Sequence, residues 1–288
     1  MGSMSNWNKA KYRYNNLSIS EKLIFINFIC FFIPFFINTI LFLFNVSSKN
    51  YISLIELSPN ISSILFKPWT LITYSFFHNG LSHLFWNMLI LYYSGSIFLN
   101  LFKKDTFINV YFMGVISGGV LFVISYLIFP VFQGSFPAMI GASAGVMSVL
   151  IFVCTYSPDT EVRLLFFNIK LKYIGIGLIA VDLVMIPYGN SGGRISHLGG
   201  AFLGYIYAKK ISNGEDIGDF FEKIWKYLIQ FFYRSKLKKA YKKNSHSHIH
   251  KDINNNQDEI DRILDKISKS GYESLTKNEK DTLFNAGK

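Results

Sequence analysis

The chain has 288 residues, a net charge of +11, and half of its residues hydrophobic, including 29 Phe. Length alone would allow two soluble domains, but the 53 residues 106–158 contain no Asp, Glu, Lys, Arg or His. About 20 apolar residues cross a bilayer as a helix, so a soluble protein is excluded and an all-α polytopic membrane protein is expected.

In chain order, Met1-Gly2-Ser3 ahead of Met4 reads as an expression scar. Six apolar runs follow, near 23–44, 81–102, 107–129, 139–157, 171–188 and 195–211. Each is predicted to be a helix, because backbone polar groups in lipid must find partners within their own segment. The first run is too long for a cleaved signal peptide, and no small-residue cleavage site follows it. Cys30 and Cys154 fall inside apolar runs and imply no disulfide framework.

Basic residues set the orientation. Lys9, Lys11, Arg13 and Lys22 precede the first run, Lys103 and Lys104 separate the second and third, and Arg163, Lys170 and Lys172 separate the fourth and fifth. Lys209 and Lys210 close the sixth. In a six-span chain all of these lie on one side, while the opposite loops carry only Lys49, Lys67 and Arg194. The positive-inside rule then makes both termini cytoplasmic. The pattern is read as a multi-pass protein of the plasma (inner) membrane.

The long opposite-side loop at 45–81 is expected to lie partly in the interface as small helices, with Trp69 as an aromatic anchor. Beyond the core (23–211, after a cytoplasmic N-terminus at 1–22), residues 212–257 form a basic linker suited to anionic lipid headgroups. Nucleic acid is not the expected partner. Residues 258–288 are predicted to form a small cytoplasmic helical hairpin. Ile260, Ile263, Leu264 and Ile267 share one helix face, and Thr276 with Glu279 makes a capping box. The alternating His246, His248 and His250 read as a solvated tether rather than a metal site.

Polar residues within spans are costly and are functional candidates. His83 and Asn87 are four apart and share a face. Ser143 lies in Gly141-Ala142-Ser143-Ala144-Gly145 near the start of the fourth run. A helix N-terminus there offers free N–H groups and a dipole that favours negative charge. On the sixth run Gly200, Ala201 and Gly204 lie within about 60° of His197, a face that lets another helix approach closely. Serine needs a base to become a nucleophile, and histidine is the usual one. Acyl transfer also needs oxyanion donors, of the kinds His83, Asn87 and a Ser143 N–H provide. Each feature alone has a plainer reading, as close helix packing or as a histidine bonded to a carbonyl. Their common depth near one membrane face is what packing does not require.

With these residues in view, the chain resembles the rhomboid intramembrane serine proteases over about 23–211. The motifs are Trp69-Thr-Leu-Ile-Thr73 through His78 to His83-Leu-Phe-Trp-Asn87, then Gly141-Ala-Ser143-Ala-Gly145, then Ser196-His197-Leu-Gly-Gly200-Ala-Phe-Leu-Gly204. The resemblance implies a six-transmembrane-helix bundle with Ser143 as nucleophile and His197 as general base and acid. It implies His83, Asn87 and the Ser143 N–H as oxyanion donors, and Gly141 as a point of close backbone approach. His78 matches a position that ties down the loop. It further implies no metal or cofactor, and transmembrane protein substrates cut near their external ends. Thr70 stands where the family often has Arg, and Met147 where many members have Tyr.

A Ser–His–Asp triad through Asp182 is not expected, because the family needs no acid; an interior hydrogen bond to a loop or neighbouring helix is. Gly189-Asn190-Ser191-Gly192-Gly193 is read as a flexible cap beside His197. Two other functions stay open: a catalytically silent, client-binding rhomboid-like protein, and a channel or transporter using His83, Asn87 and Asp182.

Overall fold

The computed structural model describes residues 6–46, 52–164, 167–219, 221–223, 227 and 250–286. Contacts divide the chain into two compact units, Met1–Trp225 and Lys226–Lys288.

In the first unit a basic helix α1 (Asn6–Asn16) leads into α2 (Ile19–Leu43). Ser18 fixes the start of α2 through a capping box, its hydroxyl accepting from the Glu21 N–H while Glu21 accepts from the Ser18 N–H at 2.7 Å. The loop that follows contains the short helices α3 (Ile61–Phe66) and α4 (Thr70–Thr73). Then come α5 (Leu81–Leu101), α6 (Lys104–Ile128), α7 (Ser143–Tyr156), α8 (Leu171–Met185) and α9 (Ser191–Ser212). A 3-10 turn, Ile186–Tyr188, extends α8.

Helices α2, α5, α6, α7, α8 and α9 fall on the six apolar runs. Four of them (α2, α5, α6, and α8 with its turn) are long and apolar enough to cross a membrane. The other two are α7 and α9. Every residue of α7 from Ala144 to Cys154 is buried, so this stretch is sheathed by protein rather than lipid. Glycine-rich α9 packs against α7 and α6. Large side chains on outer faces, such as Phe32 and Phe36 on α2 and Val181 and Val184 on α8, are exposed as lipid contact requires. One feature departs from all-helical structure and was not anticipated from the sequence. Strands β1 (Glu161–Leu164) and β2 (Phe167–Lys170) form an antiparallel hairpin between α7 and α8, with Glu161 opposite Lys170.

Small residues hold the centre together. The backbones of Gly200 and Gly204 on α9 meet those of Ala144 and Ser148 on α7, and Gly118 of α6 meets Ala144 and Ser196. Lipid tails give helices no hydrophobic reason to associate, so close packing and interhelical hydrogen bonds do the holding. Ser117 donates to the Gly199 carbonyl at 2.8 Å and Ser148 to the Val110 carbonyl at 2.9 Å, bonds worth ~0.6 kcal/mol each on average.

The second unit pairs α10 (His250–Ser270) with α11 (Lys277–Ala286). Among its described residues Ile263 and Leu275 are the buried apolar ones. The Thr276 N–H donates to the Glu279 carboxylate at 2.8 Å, and the Glu279 N–H to the Thr276 hydroxyl at 3.4 Å. Lys266 reaches Glu279 at 2.8 Å and ties the helices together. Helix α10 begins at His250, ahead of the anticipated 258, so the Asn254–Asn256 run is helical. Met1–Ser3, His246, His248 and the basic run 234–243 lie outside the described residues.

Candidate active site

Ser143 is held by the loop that precedes α5. Leu57 and Met139 exchange both backbone hydrogen bonds, at 3.0 and 2.9 Å, and the Gly141 N–H donates to the Tyr74 carbonyl at 2.9 Å. The Ala142 N–H donates to His78 Nε2 at 3.4 Å. Tyr74 is itself anchored, its hydroxyl donating to the Val115 carbonyl of α6 at 2.7 Å. The loop therefore backs the serine turn directly. Its own ends are tied internally, by Trp69 donating to the Leu54 carbonyl at 2.8 Å and by the buried Thr70 donating to the Lys67 carbonyl at 2.7 Å.

Gly141 has φ +140°, a conformation L side chains rarely adopt. A Cβ there would lie 2.8 Å from His83 Cε1 and 3.6 Å from Ser143 Oγ. The edge of the His83 ring, the Gly141 backbone and the Ser143 hydroxyl thus converge on one spot. Ser143 is the first residue of α7, so its N–H has no acceptor within its own helix. Among the described residues its hydroxyl makes no hydrogen bond. The His78 and His83 rings stack edge to face with centroids 5.1 Å apart. Asn87, one turn along α5, is buried and donates to the His83 carbonyl at 2.9 Å, which leaves its second amide hydrogen.

His197 sits one turn before Gly200, where α9 touches Ala144, the neighbour of Ser143. The serine and the histidine therefore stand on facing helices beside their point of contact. Met147 lies in an apolar cluster with Leu150, Ile151, Cys154, Leu171 and Ala201.

Sequence reasoning discounted Asp182 as a partner of His197. Asp182 is buried on α8, and its Oδ2 is 3.0 Å from His197 Nδ1. Arg194 donates to Asp182 Oδ1 at 3.2 Å, and to the Gly189 carbonyl at 3.2 Å. The signal was present: positions 182 and 197 are equidistant from the Gly189-Asn190 turn. In an antiparallel pair of helices such residues lie at one depth. The flexible cap expected at 189–193 is corrected. Ser191, Gly192 and Gly193 are helical, and only Gly189 and Asn190 turn, with φ of 119° and 51°. The Ser191 hydroxyl donates to the Ile186 carbonyl at 2.6 Å and closes that turn. Gly192 is a glycine of helix contact, facing the Phe122 ring of α6, and not a glycine of a loop.

A family model described as the Rhomboid domain matches residues 65–214, which contain His83, Asn87, Gly141, Ser143, Asp182 and His197. The chain belongs to the rhomboid family. A second model, a family of unknown function (DUF6576), matches residues 250–285 of the second unit. The rhomboid is 32% identical over 170 residues to the mouse (Mus musculus) presenilin-associated rhomboid-like protein, mitochondrial, covering 57% of the chain and 41% of that protein. It is 31% identical over 157 residues to RHOMBOID-like protein 12, mitochondrial, of Arabidopsis thaliana, covering 50% of the chain and 47% of the relative. The human presenilin-associated protein is 33% identical over 151 residues, 51% of the chain and 38% of that protein. The chain thus spans less than half the length of these relatives. Their names correct the membrane assignment. All are mitochondrial proteins, which overturns the plasma-membrane expectation. Charge bias orients a chain within a bilayer but does not identify the bilayer.

Proposed function

We propose that this rhomboid is an intramembrane serine endopeptidase that cleaves transmembrane segments of other proteins. The observation that carries the reading is the convergence on Gly141. The Ser143 hydroxyl and the His83 ring edge meet at a left-handed glycine, and His197 stands on the helix pressed against the next residue. In the proposed reaction His197 takes the Ser143 proton as the hydroxyl oxygen bonds to the scissile carbonyl carbon. The tetrahedral oxyanion is held by the Ser143 N–H, His83 and the free amide hydrogen of Asn87, donors of a kind worth about 3–4 kcal/mol each. His197 then protonates the leaving nitrogen as the C–N bond breaks. Water, deprotonated by the same imidazole, hydrolyses the acyl-serine. The substrate segment must unwind locally, because a regular helix shields its carbonyls with its own hydrogen bonds.

A serine-directed fluorophosphonate tests the reading. It is expected to label wild type at Ser143, to fail with Ser143→Ala, and to label His197→Ala far more slowly. A client-binding protein without chemistry would bind membrane segments yet resist labelling, and that result would overturn the proposal.

A further inference from the structure

We infer that Asp182 is a positioning residue that orients His197 within the proposed serine–histidine pair. The inference rests on the proteolytic reading above and adds the third member to it. An ionised carboxylate only accepts hydrogen bonds. At 3.0 Å from Asp182 Oδ2, His197 Nδ1 must therefore carry the proton. The lone pair that can act as a base is then on Nε2, on the far side of the ring from α8. The same contact fixes the ring's rotation about its side-chain bonds.

Three charged or titratable groups meet here: Asp182 from α8, and Arg194 and His197 from α9, one turn apart. The carboxylate gives Oδ1 to Arg194 and Oδ2 to His197. Arg194 cannot be deprotonated, so it is a permanent counter-ion, and it occupies the oxygen His197 does not use. Its second bond, from Nε to the Gly189 carbonyl, ties this pair to the turn between α8 and α9. A merely structural Asp182 would need one partner from the neighbouring helix. Two partners that divide its oxygens, one of them the ring of the proposed base, describe a device for holding a tautomer. The role parallels that of the buried aspartate in serine-protease triads, with the acid supplied by an adjacent membrane helix.

Nitrogen-15 NMR of histidine-labelled full chain in detergent, with His197 assigned by its loss in His197→Ala, reads the tautomer without reference to activity. Wild type is expected to carry the His197 proton on Nδ1. Asp182→Asn, whose amide can donate to Nδ1, is expected to shift it to Nε2. In cleavage assays Asp182→Asn should lower kcat by about 100-fold or more with KM within about twofold. Asp182→Glu should recover part of that loss; because Asp182→Asn also breaks the ion pair with Arg194, its Tm falls whatever its role, and the tautomer and the kcat-against-KM split carry the test. A wild-type ring protonated on Nε2, or unchanged kcat in Asp182→Asn, would overturn the inference. An Nδ1-protonated ring in a wild type that cleaves nothing would sustain the orientation and sink the proteolytic reading instead.

Discussion

Gly200 of α9 lies so close to the Ala144 carbonyl of α7 that a methyl carbon on Gly200 would overlap that oxygen. Gly204 stands in the same relation to the Ser148 carbonyl one turn further on. These two contacts set the distance between the helix bearing Ser143 and the helix bearing His197. Gly200→Ala must push the helices apart, which costs about 1–3 kcal/mol as overpacking. A displacement near 1 Å can cost about 100-fold in rate. The melting temperature should fall and fluorophosphonate labelling should slow by between about tenfold and about 100-fold. Phe202→Ala, on the exposed face of the same helix, should change neither. A Gly200→Ala protein that labels at the wild-type rate would show that this contact does not position the site.

Gly141→Ala separates chemistry from folding at a second glycine. The substitution imposes a Cβ at φ +140° and 2.8 Å from the His83 ring. Backbone strain of this kind costs about 1–3 kcal/mol, and the displaced ring is a proposed oxyanion donor. Labelling by fluorophosphonate, which forms its own tetrahedral oxyanion mimic, is expected to drop at least about tenfold, toward the loss seen when one such donor is removed. Tryptophan fluorescence on melting should still show a cooperative transition. Retained labelling would remove Gly141 and His83 from the oxyanion site.

Much of this was legible in the sequence because each feature is local. Charge-free runs mark helices whatever their neighbours, and Gly200 and Gly204 advertise a bare face around His197 without reference to what fills it. The interior bond expected of Asp182 to a neighbouring helix is met by Arg194, whereas its contact with His197 depends on how α8 rotates against α9, which hydropathy does not encode. Gly192 differs from its expected role for the opposite reason. A Cβ on Gly192 would strike the Phe122 ring of α6, so the residue is small for packing and not for flexibility. The hairpin at 161–170 is too short, with Arg163 and Lys170 in alternating apolar company, to stand out from a polar connection. The identity of the membrane has no local signature at all.

Arg194→Gln removes the permanent counter-ion of Asp182. The carboxylate stays buried with His197 as its remaining partner, and loss of a hydrogen bond to a charged group costs about 1–3 kcal/mol. Arg194 is about a fifth exposed, so water can replace part of what is lost and the lower end applies. Differential scanning fluorimetry should show a lowered Tm that Arg194→Lys restores in part. A Tm equal to wild type in Arg194→Gln would mean that solvent replaces the guanidinium fully.

The second unit carries a pH dependence of its own. The Lys266 ammonium, with the Thr276 backbone and hydroxyl, holds the Glu279 carboxyl down at about 2 from an ordinary 4.5. A carboxyl depressed on folding contributes stability that is complete above its unfolded value and is lost as pH falls through its folded value. Amide shifts of 277–286 in the full chain should therefore stay helical down to about pH 4.5, then move toward coil as pH approaches 2. Glu279→Gln should remove that titration. A Glu279 carboxyl titrating at its ordinary value would show that the Lys266 bridge does not persist in solution.

The proteolytic reading faces its sharpest trial in purified protein incubated in detergent with a transmembrane-segment substrate, the products being sized by mass spectrometry. Wild type is expected to yield one pair of fragments from a break near one end of the segment, and Ser143→Ala and His197→Ala to yield none while still melting cooperatively. Identical fragments from Ser143→Ala, or intact substrate after prolonged incubation with wild type that demonstrably binds it, would leave a rhomboid that holds membrane segments without cutting them.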